Sequence, residues 1–143
     1  MTEARDDLDM EYVLELAHNF DVELKNHRVE DPTIELEDSN PLCGDRFKLQ
    51  LRVNSEGVVE DVGFTGRGCA ISRASAYVLS DLIKGHKVDE VKDITRDQII
   101  EELGIEINSA VRLKCASLAL RTTRKGLVLA GRIAEEDEDE DEE

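Results

Sequence analysis

The chain has no tryptophan, and aromatic residues make up only 3% of its 143 residues. A core must therefore be built from Val, Ile, Leu and Ala, and the exposed aromatic platforms that hold single-stranded nucleic acid are missing. Positive charge is also scarce: 18 Lys and Arg stand against 34 Asp and Glu, for a net charge of −16. Such a chain repels a phosphate backbone, so no nucleic acid is expected as a partner. No apolar run approaches the roughly 18 residues that a membrane-spanning helix needs, so no membrane association is expected. Residues 1–9 carry neither the basic stretch nor the apolar stretch of an export signal. Cysteine is limited to Cys43, Cys69 and Cys115, an odd count that cannot complete a disulfide framework. The expectation is a cytoplasmic protein whose reduced thiols are buried, catalytic or metal-bound.

What is present suits one domain that buries an aliphatic core. Residues 1–9 read as a flexible N-terminus, 10–134 as the folded domain, and 135–143, nine acidic residues in a row, as a disordered tail. Periodicity predicts a helix over 10–25, capped by Asp9, with Val13, Leu14, Ala17 and Phe20 on its apolar side. Residues 26–40 read as polar and irregular. From Asp45 to Val53 apolar and polar residues alternate, which predicts a half-buried strand. The Asn54-Ser55-Glu56-Gly57 turn leads to a second strand over 58–65, and a third short extended piece runs through Gly66 and Gly68 to Cys69. Helices follow over 71–84, from Thr95 to Gly104, and over 111–132, with 88–94 as a connector. The order predicts an α+β fold: a small antiparallel three-stranded sheet packed against helices, ending in a long C-terminal helix.

The cysteines fall at the ends of these elements: Cys43 before the first strand, Cys69 before a helix, and Cys115 in the first turn of the last helix. Asp45 places a carboxylate two residues from Cys43, across Gly44, whose lack of a Cβ permits a tight turn. Three thiolates and one carboxylate would complete a four-coordinate zinc site or the terminal ligands of a two-iron cluster. Each Cys also has a cation near it in sequence: Arg46 for Cys43, Arg67 and Arg73 for Cys69, Arg112 and Lys114 for Cys115. Cationic neighbours favour the thiolate, which is both nucleophile and ligand. The spacings of 25 and 45 intervening residues match no common zinc-finger pattern. Residue chemistry alone thus leaves open a shared metal site, separate buried thiols, or a thiol redox site. His18, His27 and His86 read as surface or capping residues. Leu118, Leu120, Leu127 and Leu129 read as core.

Three segments carry a resemblance: Asn40-Pro41-Leu42-Cys43-Gly44-Asp45, then the run from Thr65 to Ala76 that contains Gly66-Arg67-Gly68-Cys69, then Val111-Arg112-Leu113-Lys114-Cys115-Ala116. In these the chain resembles the U-type iron–sulfur cluster assembly family, which comprises IscU, SufU and the N-terminal domain of NifU. The resemblance implies Cys43, Asp45, Cys69 and Cys115 as ligands of a transient 2Fe–2S cluster or a zinc ion, with Asp45 keeping the cluster releasable. It implies Cys115 as the acceptor of persulfide sulfur, with Arg112 and Lys114 adjacent to the site. It also implies a SufS- or IscS-like cysteine desulfurase and apoprotein cluster acceptors as partners. A scaffold is expected ahead of an enzyme; the alternative is a zinc-dependent sulfurtransferase that stimulates the desulfurase. The IscU type has a His directly before the third Cys, where this chain has Lys114, and the Arg-Leu-Lys-Cys-Ala run is similar to the SufU type. The 45 residues between Cys69 and Cys115 resemble the shorter IscU spacing. The Leu-Pro-Pro-Val-Lys run by which IscU proteins dock a chaperone is absent.

Overall fold

The computed structural model describes residues 2–41 and 44–131, so Cys43 and the acidic run 135–143 lie outside the described residues. The first helix, α1 (Thr2–Asn19), begins earlier than periodicity predicts, and Asp9 stands inside it instead of capping it. Acidic residues crowd its first turns in the sequence, which suits the positive end of a helix dipole. The helix then widens into a π-helical turn over Phe20–Leu24, closed by the Lys25 N–H donating to the Phe20 carbonyl at 2.8 Å. Val13, Leu16, Ala17, Phe20 and Leu24 are buried, whereas Leu14, expected on the apolar side, is 53% exposed.

The sheet is an antiparallel meander of β1 (Ile34–Asn40), β2 (Asp45–Val53) and β3 (Val59–Arg67), with β2 in the middle. The expected number of strands is right, but one is misplaced. β1 lies where an irregular segment was expected, and the extended piece after Thr65 is the end of β3 and the approach to the next helix. β1 escapes a hydrophobic reading because only Ile34 and Leu36 are apolar. Its acidic residues are matched across the sheet instead: Gln50 donates to Glu35 at 2.6 Å, and Arg46 and Lys48 stand 3.8 and 3.9 Å from Glu37 and Glu35. On β2, Asp45, Phe47, Leu49, Leu51 and Val53 are all buried and the residues between them are not, as the two-residue pleat requires.

α2 (Ala70–Ile83) and α5 (Ala110–Leu129) cover that buried face, α5 over β1 and β2 and α2 against β3, while α1 packs on α2. Gly126 lets α5 come close to the sheet, since a Cβ there would sit 3.0 Å from Ile34 Cγ2. The three phenylalanines run through the core in tilted and edge-to-face contact, with ring centroids 5.6 Å apart for Phe20 and Phe47 and 5.9 Å for Phe47 and Phe64. Leu118, Leu120 and Leu127 are core as expected, but Leu129, the last residue of α5, is 71% exposed. The expected connector contains a single helical turn, α3 (Val88–Val91). α4 (Arg96–Leu103) is bounded as expected, by a Thr95 hydroxyl that accepts from the Gln98 N–H at 3.1 Å and by Gly104 at φ 75°. No helix among the described residues is long and apolar enough to cross a membrane.

A second tie joins the segment after α1 to β3. His27 Nε2 lies 2.8 Å from Asp61 Oδ2, and Lys84 Nζ stands 3.7 Å from Oδ1. Burial works to raise the Asp61 carboxyl, but the hydrogen bonds from His27 and the Val62 N–H, with the charges of His27 and Lys84, hold it below its usual range.

Three outcomes follow from this packing. Gly66 holds φ 126°, and a Cβ there would fall 2.1 Å from the Arg46 carbonyl oxygen, so Gly66→Ala should cost more than about 2 kcal/mol in urea unfolding. Gly104→Ala, with positive φ but open space around it, should cost only about 1 kcal/mol. Because folding favours the ionised form of Asp61, its contribution is fully present above the unfolded value near pH ~3.9 and is lost as pH falls through the lower folded value. Asp61→Asn should therefore flatten the acid limb of the stability curve below about pH 4, with urea midpoints as the readout.

Candidate metal centre

Asp45 is the first residue of β2 and lies in the buried phase of that strand, 5% exposed. The pleat that points Phe47 and Leu49 into the core also points this carboxylate inward. It stands opposite Asn40 across the β1–β2 ladder, and the turn between them closes with the Gly44 N–H donating to the Asn40 carbonyl at 2.8 Å. Gly44 takes φ 75° there, a conformation that suits glycine.

Cys69 is the N-cap of α2: its backbone is extended, and its sulfur accepts from the Ser72 N–H at 3.4 Å. The cap places the sulfur at the positive end of the α2 dipole. Its own N–H donates to Asp45 Oδ1 at 3.2 Å, which joins two of the expected ligands directly. Gly68, just before it, is packed so that a Cβ would meet Ser72 Cβ at 3.0 Å, Phe47 Cζ at 3.2 Å and Asp45 Cγ at 3.3 Å. The missing side chain is what lets these groups close up.

Cys115 is 3% exposed and packs with Val13, Leu16, Ile71, Ala74, Val78, Leu103 and Ala116, an apolar cluster among the helices. It is the sixth residue of α5, not in its first turn as expected. Asn40 Nδ2 reaches toward its sulfur at 4.0 Å. One ligand atom each from Asp45, Cys69 and Cys115 all lie within 4.8 Å of one another. Of the four expected ligands, the structure thus brings these three together, and Cys43 lies outside the described residues.

The donor set fits a metal. A tetrahedral zinc with Zn–S bonds of about 2.3 Å holds its sulfurs about 3.8 Å apart, so the three groups need close by no more than about 1 Å. Two sulfurs with one carboxylate oxygen suit zinc or iron and disfavour magnesium and calcium, which take oxygen.

The expected cations behave differently. Arg46 points to the opposite face of β2 from Asp45, 3.8 Å from Glu37, because neighbouring residues on a strand face opposite ways. Arg73 turns to the π-helical turn after α1, bonding Asp21 at 2.7 Å, and its Nε donates to the Gly68 carbonyl at 3.0 Å. It therefore braces the backbone just before Cys69. Arg112 is exposed one turn before Cys115, and Lys114 is half-buried beside it. His27 lies apart from these groups in the hydrogen-bond pattern and pairs with Asp61. Two residues that sequence reasoning passed over belong to the site, Asn40 and Ser72. The signal for Ser72 was its place three residues after Cys69, the spacing of an N-cap bond.

Known proteins resemble this chain in sequence and fold. Residues 22–132 match the family described as NifU-like N terminal domain. The iron-sulfur cluster assembly scaffold protein IscU of Escherichia coli (strain K12) is 39% identical over 79 residues, 55% of this chain and 59% of that protein. The matched stretch thus spans only about three fifths of the IscU relative. The zinc-dependent sulfurtransferase SufU of Bacillus subtilis (strain 168) is 31% identical over 119 residues, 72% of this chain and 80% of that protein. Among solved structures, the crystal structure of FiSufU from Fervidobacterium islandicum AW-1 has a TM-score of 0.65 at 25% identity, covering 82% of this chain and 94% of that one. The N-terminal NifU-like protein from Brucella abortus has a TM-score of 0.66 at 20% identity, covers 86% of this chain and 94% of that one, and supports the fold alone.

Proposed function

This chain belongs to the NifU-like N-terminal domain family, and from that premise we propose that it is an iron–sulfur cluster assembly scaffold of the cytoplasm. It accepts persulfide sulfur from a cysteine desulfurase and holds a transient 2Fe–2S cluster for transfer to apoproteins. The observation that supports this most is the convergence of Asp45, Cys69 and Cys115, from three separate elements, within 4.8 Å. Cys43, two residues before Asp45 in the sequence, supplies the fourth donor.

The residues divide the work. The Cys115 thiolate attacks the outer sulfur of the desulfurase persulfide; a new S–S bond forms on Cys115, the old one breaks, and the electron pair leaves with the desulfurase thiolate. Cys115 is 3% exposed, so docking must open the start of α5 to admit that sulfur. Cys69, which is exposed, marks the solvent-facing rim of the site. Converting the transferred sulfur to sulfide takes two electrons, supplied in the test below by an external thiol reductant. Asp45 contributes a hard oxygen among soft sulfurs, the weakest holder of iron in the set, and so the point at which the cargo is let go.

A second reading has its own support. The SufU relative matches more of this chain than IscU does, and Lys114 precedes Cys115 where a His would mark the IscU type. In that reading the protein is a zinc-dependent sulfurtransferase. Zinc held by the same four residues would supply a Lewis acid that keeps the thiolates deprotonated until the desulfurase docks.

Anaerobic incubation of the full chain with ferrous iron, cysteine, a thiol reductant and a cysteine desulfurase should give a coloured protein with about two irons per site. Colourless, iron-free protein would contradict the scaffold reading. If about one zinc per chain is present on purification and the protein strongly stimulates desulfurase turnover, the sulfurtransferase reading stands instead. In both, Cys115→Ser should abolish sulfur acceptance, and a variant that still accepts sulfur would remove Cys115 from that role.

A further inference from the structure

Ser72 is fully buried in the first turn of α2 and touches all three donor residues described at the site. Its N–H donates to Cys69 Sγ at 3.4 Å, its hydroxyl donates to Asp45 Oδ2, and the Cys115 carbonyl oxygen stands 3.2 Å from the same hydroxyl. The cap of α2 requires only the Ser72 N–H, so the helix has no need of the hydroxyl. The carboxylate has that need. A carboxylate 5% exposed must be met by donors. Ser72 Oγ–H takes Oδ2 while the Cys69 N–H takes Oδ1. A hydroxyl has one hydrogen, and the closer acceptor, Asp45, takes it.

We propose that Ser72 is a positioning residue whose hydroxyl fixes the orientation of the Asp45 carboxylate toward the space shared with Cys69 and Cys115, and so sets how tightly the site holds its metal. The proposal rests on the reading of Asp45 as a ligand, and goes beyond it by assigning control of that ligand to a residue that binds no metal itself. With both carboxylate oxygens engaged by protein donors, the lone pairs left for a metal are fixed in direction. Gly68 belongs to the same device, since any side chain there would press on Ser72 and Asp45 together.

The test is zinc affinity, measured on the full chain by competition with a chromophoric chelator, for wild type, Ser72→Ala, Asp45→Ala and the double variant. Alanine at 72 keeps the N–H that caps α2 and removes only the hydroxyl. Ser72→Ala should bind zinc roughly 10–100-fold more weakly, the usual effect of losing a hydrogen bond to a ligand. The double variant should bind no more weakly than Asp45→Ala alone, because Ser72 acts through Asp45. The cobalt(II)-loaded protein should show the same pattern in its visible absorption: Ser72→Ala shifts the bands in the wild-type background and leaves them unmoved when Asp45 is already alanine. Ser72→Thr, which keeps the hydroxyl, should bind within about threefold of wild type; this variant covers the case in which Ser72→Ala fails to fold. Unchanged affinity in Ser72→Ala beside a weakened Asp45→Ala would overturn the role of Ser72 and leave Asp45 as a ligand. A Ser72→Ala loss that persists in full on the Asp45→Ala background would also overturn it, as would a tenfold loss in Ser72→Thr. Wild-type affinity in Asp45→Ala would sink the underlying reading of Asp45 itself.

Discussion

A carboxylate at the core-facing start of the central strand is the constraint around which this site is arranged. The pleat of β2 sends Asp45 inward with Phe47 and Leu49, so a charged group enters a region that would otherwise be aliphatic. Such a group is tolerable only where donors meet it. The Cys69 N–H and the Ser72 hydroxyl do so, and both come from the entry to α2. The demand for satisfaction of one buried charge thus fixes how α2 docks on the end of the sheet, and with it the position of Cys69 as the helix cap.

Cys115 reaches the same place by another route. It belongs to the smaller apolar cluster formed by α1, α2, α4 and α5 and is held there by aliphatic packing. Its sulfur meets the carboxylate where the helical layer touches the end of the sheet. Arg73 strengthens that junction by tying the carbonyl before Cys69 to Asp21 in the π-helical turn after α1. The three described donors are therefore not a loop feature. Each described member is held by the end of a strand, the cap of a helix, or the packed flank of another helix, which is how a rigid frame holds a labile cargo.

Much of this was legible in the sequence. The alternation of β2, the Thr95 cap and the Gly104 stop follow from local periodicity and cap chemistry, and they appear where expected. The place of Cys69 before a helix was also readable, whereas Cys115 lies deeper in α5 than expected; three of the four expected donor residues do meet. β1 was not readable, because an edge strand with two apolar residues in seven gives little hydrophobic signal; its identity comes from cross-strand pairs that only the folded sheet creates. The exposure of Leu14 and Leu129 reflects which helix faces found partners. Two of the cations near the cysteines in sequence serve other groups in the fold: Arg46 lies across the pleat beside Glu37, and Arg73 serves the backbone at Gly68. Ser72 and Asn40 were missed because their importance lies in which partners they meet.

The account stands on Asp45, Cys69 and Cys115 acting with Cys43 as one donor set around one metal. X-ray absorption at the zinc edge of the zinc-loaded full chain tests this most directly. The predicted result is a mixed shell, dominated by sulfur at about 2.3 Å with one oxygen at about 2.0–2.2 Å that is lost in Asp45→Ala. A shell of nitrogen and oxygen alone, with no sulfur, would contradict it.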